Sequence, residues 1–154
     1  MTMPLINKRQ GVLRVKIYVW VPKNKKYVSA DAIIDTGAHK TIIDEQLARL
    51  MKLPLNKKTS VTVTASGPVE SYDSVLPKMR LGDKILANIP VSVMKLPDAL
   101  KTRCLIGMNI LQEFDINISN INATVRLTPN PLPKTLFIEN YSITLVSVED
   151  DSLL

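Results

Sequence analysis

The sequence predicts a mostly β fold with two short helices. Three observations carry that expectation. The dominant hydrophobic period is two residues rather than 3.6, turn-forming clusters recur at short intervals, and only two brief stretches have helical spacing. At 154 residues, with 45% hydrophobic and 22% charged residues, the chain fits one ordinary domain that can bury an apolar core without covalent staples.

Taken in order, residues 12–21 form the first strand. Val15, Ile17, Val19 and Val21 share one face, and Arg14, Lys16, Tyr18 and Trp20 the other. Residues 22–26, Pro-Lys-Asn-Lys-Lys, make a polar turn, and 27–35 return as a second strand of the same hairpin. Residues 44–51 are the first helical segment: Asp44 caps it, Leu47, Leu50 and Met51 share a face, and Pro54 stops it. Residues 60–65 alternate valine and threonine, Ser66-Gly67-Pro68 turns the chain, and 69–76 run back extended, which reads as a hairpin. Residues 79–83 turn into 85–94, read as two short strands broken at Asn88. Residues 96–103 are a loop, 104–106 a short buried strand, and 109–114 a brief helix opened by Gly107. Residues 115–118 and 123–127 pair around Ser119-Asn120-Ile121-Asn122, and the proline-rich 128–133 breaks regular structure before a strand-rich 135–148. The organisation read from this is an N-terminal arm over 1–10, a domain over 11–127, and a proline-containing linker with a strand-rich extension over 128–154.

Shortage of reactive residues removes several functions. One cysteine, Cys104, excludes an intrachain disulfide framework and a multi-cysteine zinc site. One histidine, His39, excludes the two- and three-histidine metal sites, and excludes a serine–histidine triad unless His39 is its base. No metal and no cofactor are expected. No apolar run of about 18 residues occurs, so no membrane span is expected. Lys8 and Arg9 are not followed by an apolar stretch, so no signal peptide is read and the expected location is cytoplasmic. The net charge of +6 is uneven: residues 1–58 hold twelve Lys/Arg against four acids, a net +8. A basic half can attract nucleic acid, but the bases form no single dense block and no aromatic residues are interleaved with them as a stacking platform needs, so nucleic acid is not the expected partner.

The informative segment is Ala32-Ile33-Ile34-Asp35-Thr36-Gly37-Ala38. It places an ionisable carboxylate directly after a buried β-branched run, where it is costly unless paired or used, and a glycine two residues later permits a tight turn. Downstream, Leu105-Ile106-Gly107-Met108-Asn109 sets two apolar residues, a glycine and an amide at the start of a short helix.

These two motifs, with a hairpin tipped by Ser66-Gly67 between them, resemble the retropepsin-like (retroviral-type) aspartic proteases, above all their single-motif cellular and bacterial members. The resemblance covers residues 11–127 and implies a closed β-barrel that is half of an acid-protease fold. It implies that Asp35 is the catalytic carboxylate, that Thr36 hydrogen-bonds across a two-fold axis, and that Gly37 lies close to substrate backbone. Ala38, His39, Ser66, Gly67 and Leu105 would meet substrate, with Ser66 and Gly67 at the tip of a closing flap. Ile106, Gly107 and Asn109 would support the active-site loop, Asn109 near Thr41. Because the mechanism needs two carboxylates and the chain has one Asp-Thr-Gly, the resemblance implies a homodimer acting on a peptide or protein substrate, with no metal or organic cofactor. Two positions depart from the retroviral pattern together: His39 stands where many members carry an acid, and Met108 where they carry the arginine that pairs with it. The alternative reading is a related dimerisation or peptide-binding module without turnover. An Asp-x-Gly phosphate site of the sugar-kinase kind would need two large lobes, which 154 residues do not supply.

Overall fold

The computed structural model describes residues 1–6, 11–56, 58–64 and 67–130, with backbone alone for 58–64. Ten strands and two short α-helices follow in the order β1 (Thr2–Pro4), β2 (Leu13–Val21), β3 (Lys26–Ile34), β4 (Thr41–Asp44), α1 (Glu45–Leu50), β5 (Lys58–Thr64), β6 (Gly67–Leu81), β7 (Lys84–Met94), β8 (Cys104–Ile106), α2 (Met108–Leu111), β9 (Phe114–Ser119) and β10 (Thr124–Pro129). Six of them close a barrel in the order β2-β3-β8-β4-β7-β6. The ring is sealed where Tyr18 and Val19 of β2 pair with Arg80 and Met79 of β6. β5 lies outside the ring, paired with the first half of β6. A separate three-stranded sheet, β1-β10-β9, packs against it.

The alternation in β2 does what its period requires. Val15, Ile17, Val19 and Val21 are fully buried, and the first three join Ile43, Leu76, Met79, Leu86, Ile89 and Ile106 in one continuous core. Arg14 is the exception. It was expected on the solvent face, yet it is 5% exposed and donates from Nη1 to Lys101 O (2.6 Å) and from Nη2 to Leu100 O (2.8 Å). A short 3₁₀ turn over Asp98–Leu100 ends beside β2, and its terminal carbonyls need donors that the guanidinium supplies.

Other elements differ from the sequence expectation for local reasons. β6 and β7 form one long hairpin rather than several short strands. Gly82, in the left-handed region at φ 61°, makes a two-residue turn possible after Leu81. Asn88, where a break was expected, is left-handed too (φ 53°), but the register is the same on either side, Leu76↔Ile89 and Lys78↔Ala87. In the N-terminal arm, Thr2–Pro4 pair with β10, and Met3 is buried. β10 continues to Pro129, two residues beyond the expected limit, because its last register pair is Pro129↔Phe114 at the start of β9. The strand-rich 135–148 lies outside the described residues. α1 is capped as expected, with Asp44 accepting from Gln46 N (3.1 Å), but it is one turn and a half long, so Leu50 stays exposed while Leu47 and Met51 are buried.

The β4–β8 seam is, with β2–β6, one of the two shortest in the barrel: two residue pairs meet there, Ile42↔Leu105 and Ile43↔Cys104. It is continued by side chains. Asn109 Oδ1 accepts from both Thr41 N and Thr41 Oγ1 at 2.8 Å, Asn109 Nδ2 donates to Pro90 O at 2.8 Å, and Thr41 Oγ1 accepts from Gly107 N at 3.1 Å. Thr41 is fully buried, so every one of these groups needs its partner. Beside them Cys104 is fully buried and unreactive: burial pushes its thiol up to about 12 from 9.0.

Two outcomes follow for stability. Asn109→Ala leaves the Thr41 amide and hydroxyl without their acceptor and lowers unfolding free energy by about 3 kcal/mol, read by urea denaturation; an unchanged midpoint would contradict the role given to this side chain. A thiol reagent at neutral pH labels Cys104 only as the chain unfolds. The unfolded thiol ionises near 9.0 and the folded one near 12, so the stability advantage of wild type over Cys104→Ala is full below pH 9 and shrinks from pH 9 to 12.

Candidate active site

β3 delivers Asp35 to the site. Its last three residues, Ala32, Ile33 and Ile34, are buried and run parallel to β8 in the register Ala32↔Cys104, Ile33↔Leu105, Ile34↔Ile106. The Asp35 N–H still donates to Ile106 O at 3.0 Å, so the backbone leaves the sheet only after the carboxylate has been placed. The chain then turns sharply: Ala38 N donates to Asp35 O (3.2 Å), and Gly37 N donates to Asp35 Oδ1 (3.0 Å). One carboxylate oxygen is thereby fixed by a backbone donor. A Cβ on Gly37 would stand 3.3 Å from that same oxygen, which is why the smallest residue sits there. Asp35 is half-buried, and Thr36 and Gly37 are exposed. The carboxylate is therefore accessible at the barrel's end while its orientation is held from the sheet side.

The second motif clamps the loop that follows. Met108 N donates to Ala38 O (2.8 Å) and Asn109 N to His39 O (3.2 Å), so the first turn of α2 binds both loop carbonyls. Gly107 allows this approach: a Cβ there would lie 2.6 Å from Lys40 C and 2.8 Å from Thr41 N, both backbone atoms that cannot give way. Ile106, fully buried, backs the loop with its carbonyl, and Leu105 beside it is half-buried. Asn109 meets Thr41 as expected.

The fold thus gathers Asp35, Thr36, Gly37, Ala38, His39, Ile106, Gly107 and Asn109 into one loop pair. The His39 imidazole is exposed and enters through its backbone carbonyl. Met108, in the position after the second glycine, likewise contributes its amide and is half-buried. Of the hairpin tip, Ser66 lies outside the described residues. Gly67 pairs with Thr64 at φ 110°, a value that favours glycine. Two contacts were not legible in the sequence. Lys40 Nζ lies 2.9 Å from Asp73 Oδ1, tying the loop after Asp35 to β6 across 33 residues of chain. Arg103 Nη1 lies 3.1 Å from Asp44 Oδ2, whose other oxygen accepts from Leu96 N, tying the 96–103 segment to the start of α1. That segment and the beginning of β6 line an open 470 Å³ pocket with apolar walls from Pro68, Val69, Leu96 and Pro97 and with Glu45, Glu70, Asp98 and Lys95 as its charged groups. No group of three or more His, Cys, Asp or Glu placed to hold a metal occurs among the described residues.

Comparison with known proteins bears on this arrangement. A family model described as "gag-polyprotein putative aspartyl protease" matches residues 23–113, a stretch that contains both loop motifs. A retropepsin-like aspartic protease from Rickettsia conorii superposes with a TM-score of 0.59 at 22% identity, covering 81% of this chain and 95% of that one. EIAV protease complexed with the inhibitor HBY-793 superposes with a TM-score of 0.50 at 15% identity, covering 70% of this chain and 92% of that one. At these identities the two structures speak for the fold. No curated protein matches the chain in sequence. The family match spans more than half of the chain, and the barrel it accompanies presents an Asp-Thr-Gly turn clamped by a Gly-x-Asn turn: the chain belongs to the retropepsin-like aspartyl protease family.

Proposed function

We propose that this protein is an aspartic endopeptidase that works as a homodimer, in which Asp35 of each chain meets its counterpart across a two-fold axis. One observation carries the reading. Each chain offers one Asp-Thr-Gly turn, whose accessible carboxylate is oriented by the Gly37 amide and the sheet, and that is half of what acid-protease chemistry needs. Two carboxylates about 3 Å apart cannot both ionise, so they share one proton. The ionised member takes a proton from a water, whose oxygen attacks the scissile carbonyl, and the protonated member donates toward the developing oxyanion. Collapse of the tetrahedral species breaks the C–N bond, with a proton passed to the leaving amine. The pair titrates as a unit, so its two apparent values belong to the dimer rather than to either residue.

The other residues take supporting parts in this proposal. Thr36 hydrogen-bonds across the axis and holds the two turns together. Gly37 and Ala38 lie beside the substrate backbone, and His39 and Leu105 border the subsites. Ser66 and Gly67 form the tip of a flap whose closure excludes water. The reaction as written draws on no metal or organic cofactor.

The test is cleavage of a peptide library by the full chain and by Asp35→Asn. The variant keeps the fold and loses at least a thousandfold in kcat, because an amide cannot share a proton or accept one from water. Retained cleavage would overturn the proposal, and tight peptide binding by wild type without cleavage would instead assign the non-catalytic module. Wild-type activity is highest at acid to mildly acid pH and falls as the second carboxyl of the pair ionises; a profile rising steadily toward alkaline pH would exclude a shared-proton dyad. Specific activity also falls on dilution through the range where sedimentation shows dimer giving way to monomer.

A further inference from the structure

The basic half of the chain was not expected to meet nucleic acid, because its aromatic residues did not read as the stacking platform that such binding needs. The sheet interleaves them in space. In the β2–β3 register Trp20 stands directly opposite Tyr27, and Tyr18 pairs with Arg80 of β6. These four side chains share the outer face of the barrel, opposite the valines that fill its core. Trp20 and Tyr27 meet edge to face with centroids 5.2 Å apart, and the Arg80 guanidinium lies 4.2 Å from the centre of the Tyr18 ring. All four are half-buried, so each ring is held by its neighbours and still reached from outside. Exposed cations surround them: Lys78 follows from Arg80 on the same face of β6, and Lys23, Lys25 and Lys26 fill the turn that joins β2 to β3. Among the described residues neither these lysines nor Arg80 has a carboxylate within ion-pair distance. The one acid on β2 and β3, Asp31, lies four residues along β3 from Tyr27, opposite Lys16.

We propose that this outer face binds single-stranded nucleic acid, with bases stacked on Trp20, Tyr27 and the Arg80–Tyr18 pair and with phosphates on the turn lysines and Lys78. Charge alone fits any polyanion. Rigid rings set among unpaired cations on the outer face of a barrel fit a ligand that alternates flat apolar groups with anions. An acidic polypeptide would engage the lysines and leave the rings without a use. The surface is independent of the Asp35 turn: Tyr27 lies eight residues up β3, roughly 26 Å away at ~3.3 Å per residue.

The chain carries its own reporter, since Trp20 is its single tryptophan. A fluorescein-labelled 20-mer of thymidylate is titrated with the full chain at about 50 mM salt, following anisotropy and Trp20 emission together. Anisotropy rises, Trp20 emission is quenched, and the logarithm of the binding constant falls with the logarithm of salt with a slope of about −2 to −4, as three to five phosphate contacts give. Tyr27→Ala weakens binding about tenfold with the slope unchanged. Lys25→Glu combined with Lys26→Glu, both exposed in the turn, weakens binding and flattens the slope. No anisotropy change at low salt overturns the proposal. So does equal competition by polyglutamate together with indifference to Tyr27→Ala, which would assign the face to an acidic protein.

Discussion

Thr41 Oγ1 accepts from the Gly107 amide and donates to Asn109 Oδ1, while that same oxygen takes the Thr41 amide. The rest of the site hangs on this small network. It joins the two loops, one after β3 and one after β8, at the point where the β4–β8 ladder has run out of residue pairs. Without it the Ala38 and His39 carbonyls would lose their donors in the first turn of α2, and the turn that orients Asp35 would be tethered from one side only. A fully buried hydroxyl with both its donor and acceptor roles filled is stable in place and costly to disturb in part. Gly107 is the steric condition for the network, since backbone atoms of Lys40 and Thr41 occupy the space a side chain would need.

Much of this was legible in the sequence because it is local. The alternation in β2, the Asp44 cap, the buried Cys104–Ile106 strand and the Asp-Thr-Gly turn each depend on residues a few positions apart. What escaped depends on residues that meet only in the fold. Arg14 reads as a solvent-facing cation until the Leu100 and Lys101 carbonyls arrive beside it. Lys40 and Asp73 carry no mutual signal in the chain. β6 and β7 look interrupted because Pro77, Gly82 and Asn88 are turn-formers by composition. The hairpin ladder overrides that preference on both sides of Asn88. The aromatic face is of the same kind: Tyr18, Trp20 and Tyr27 are close in sequence, but only the β2–β3 and β2–β6 registers set their rings beside one another and beside Arg80.

The two ends of β3 have opposite characters. At its C-terminal end the strand is buried on both sides by β2 and β8 and releases a carboxylate into a clamped turn. At its N-terminal end, beyond the reach of β8, it is half-exposed and surrounded by cations. A short partner strand is what allows this division, because Cys104–Ile106 covers three residues of β3 and leaves the others paired with β2 alone.

That three-residue parallel pairing also has a kinetic meaning. Ile34 meets Ile106 only after the intervening chain has closed a loop of about seventy residues, and non-local parallel contacts are slow to form because the closure entropy precedes their reward. β2 and β3 can assemble early as a hairpin, but they cannot orient Asp35 by themselves. A chain still being synthesised, or cut before residue 106, holds the carboxylate without the Ile106 carbonyl, the α2 amides or the Asn109 acceptor. The order in which the polypeptide is made therefore keeps the turn unassembled until the last strand of the barrel arrives.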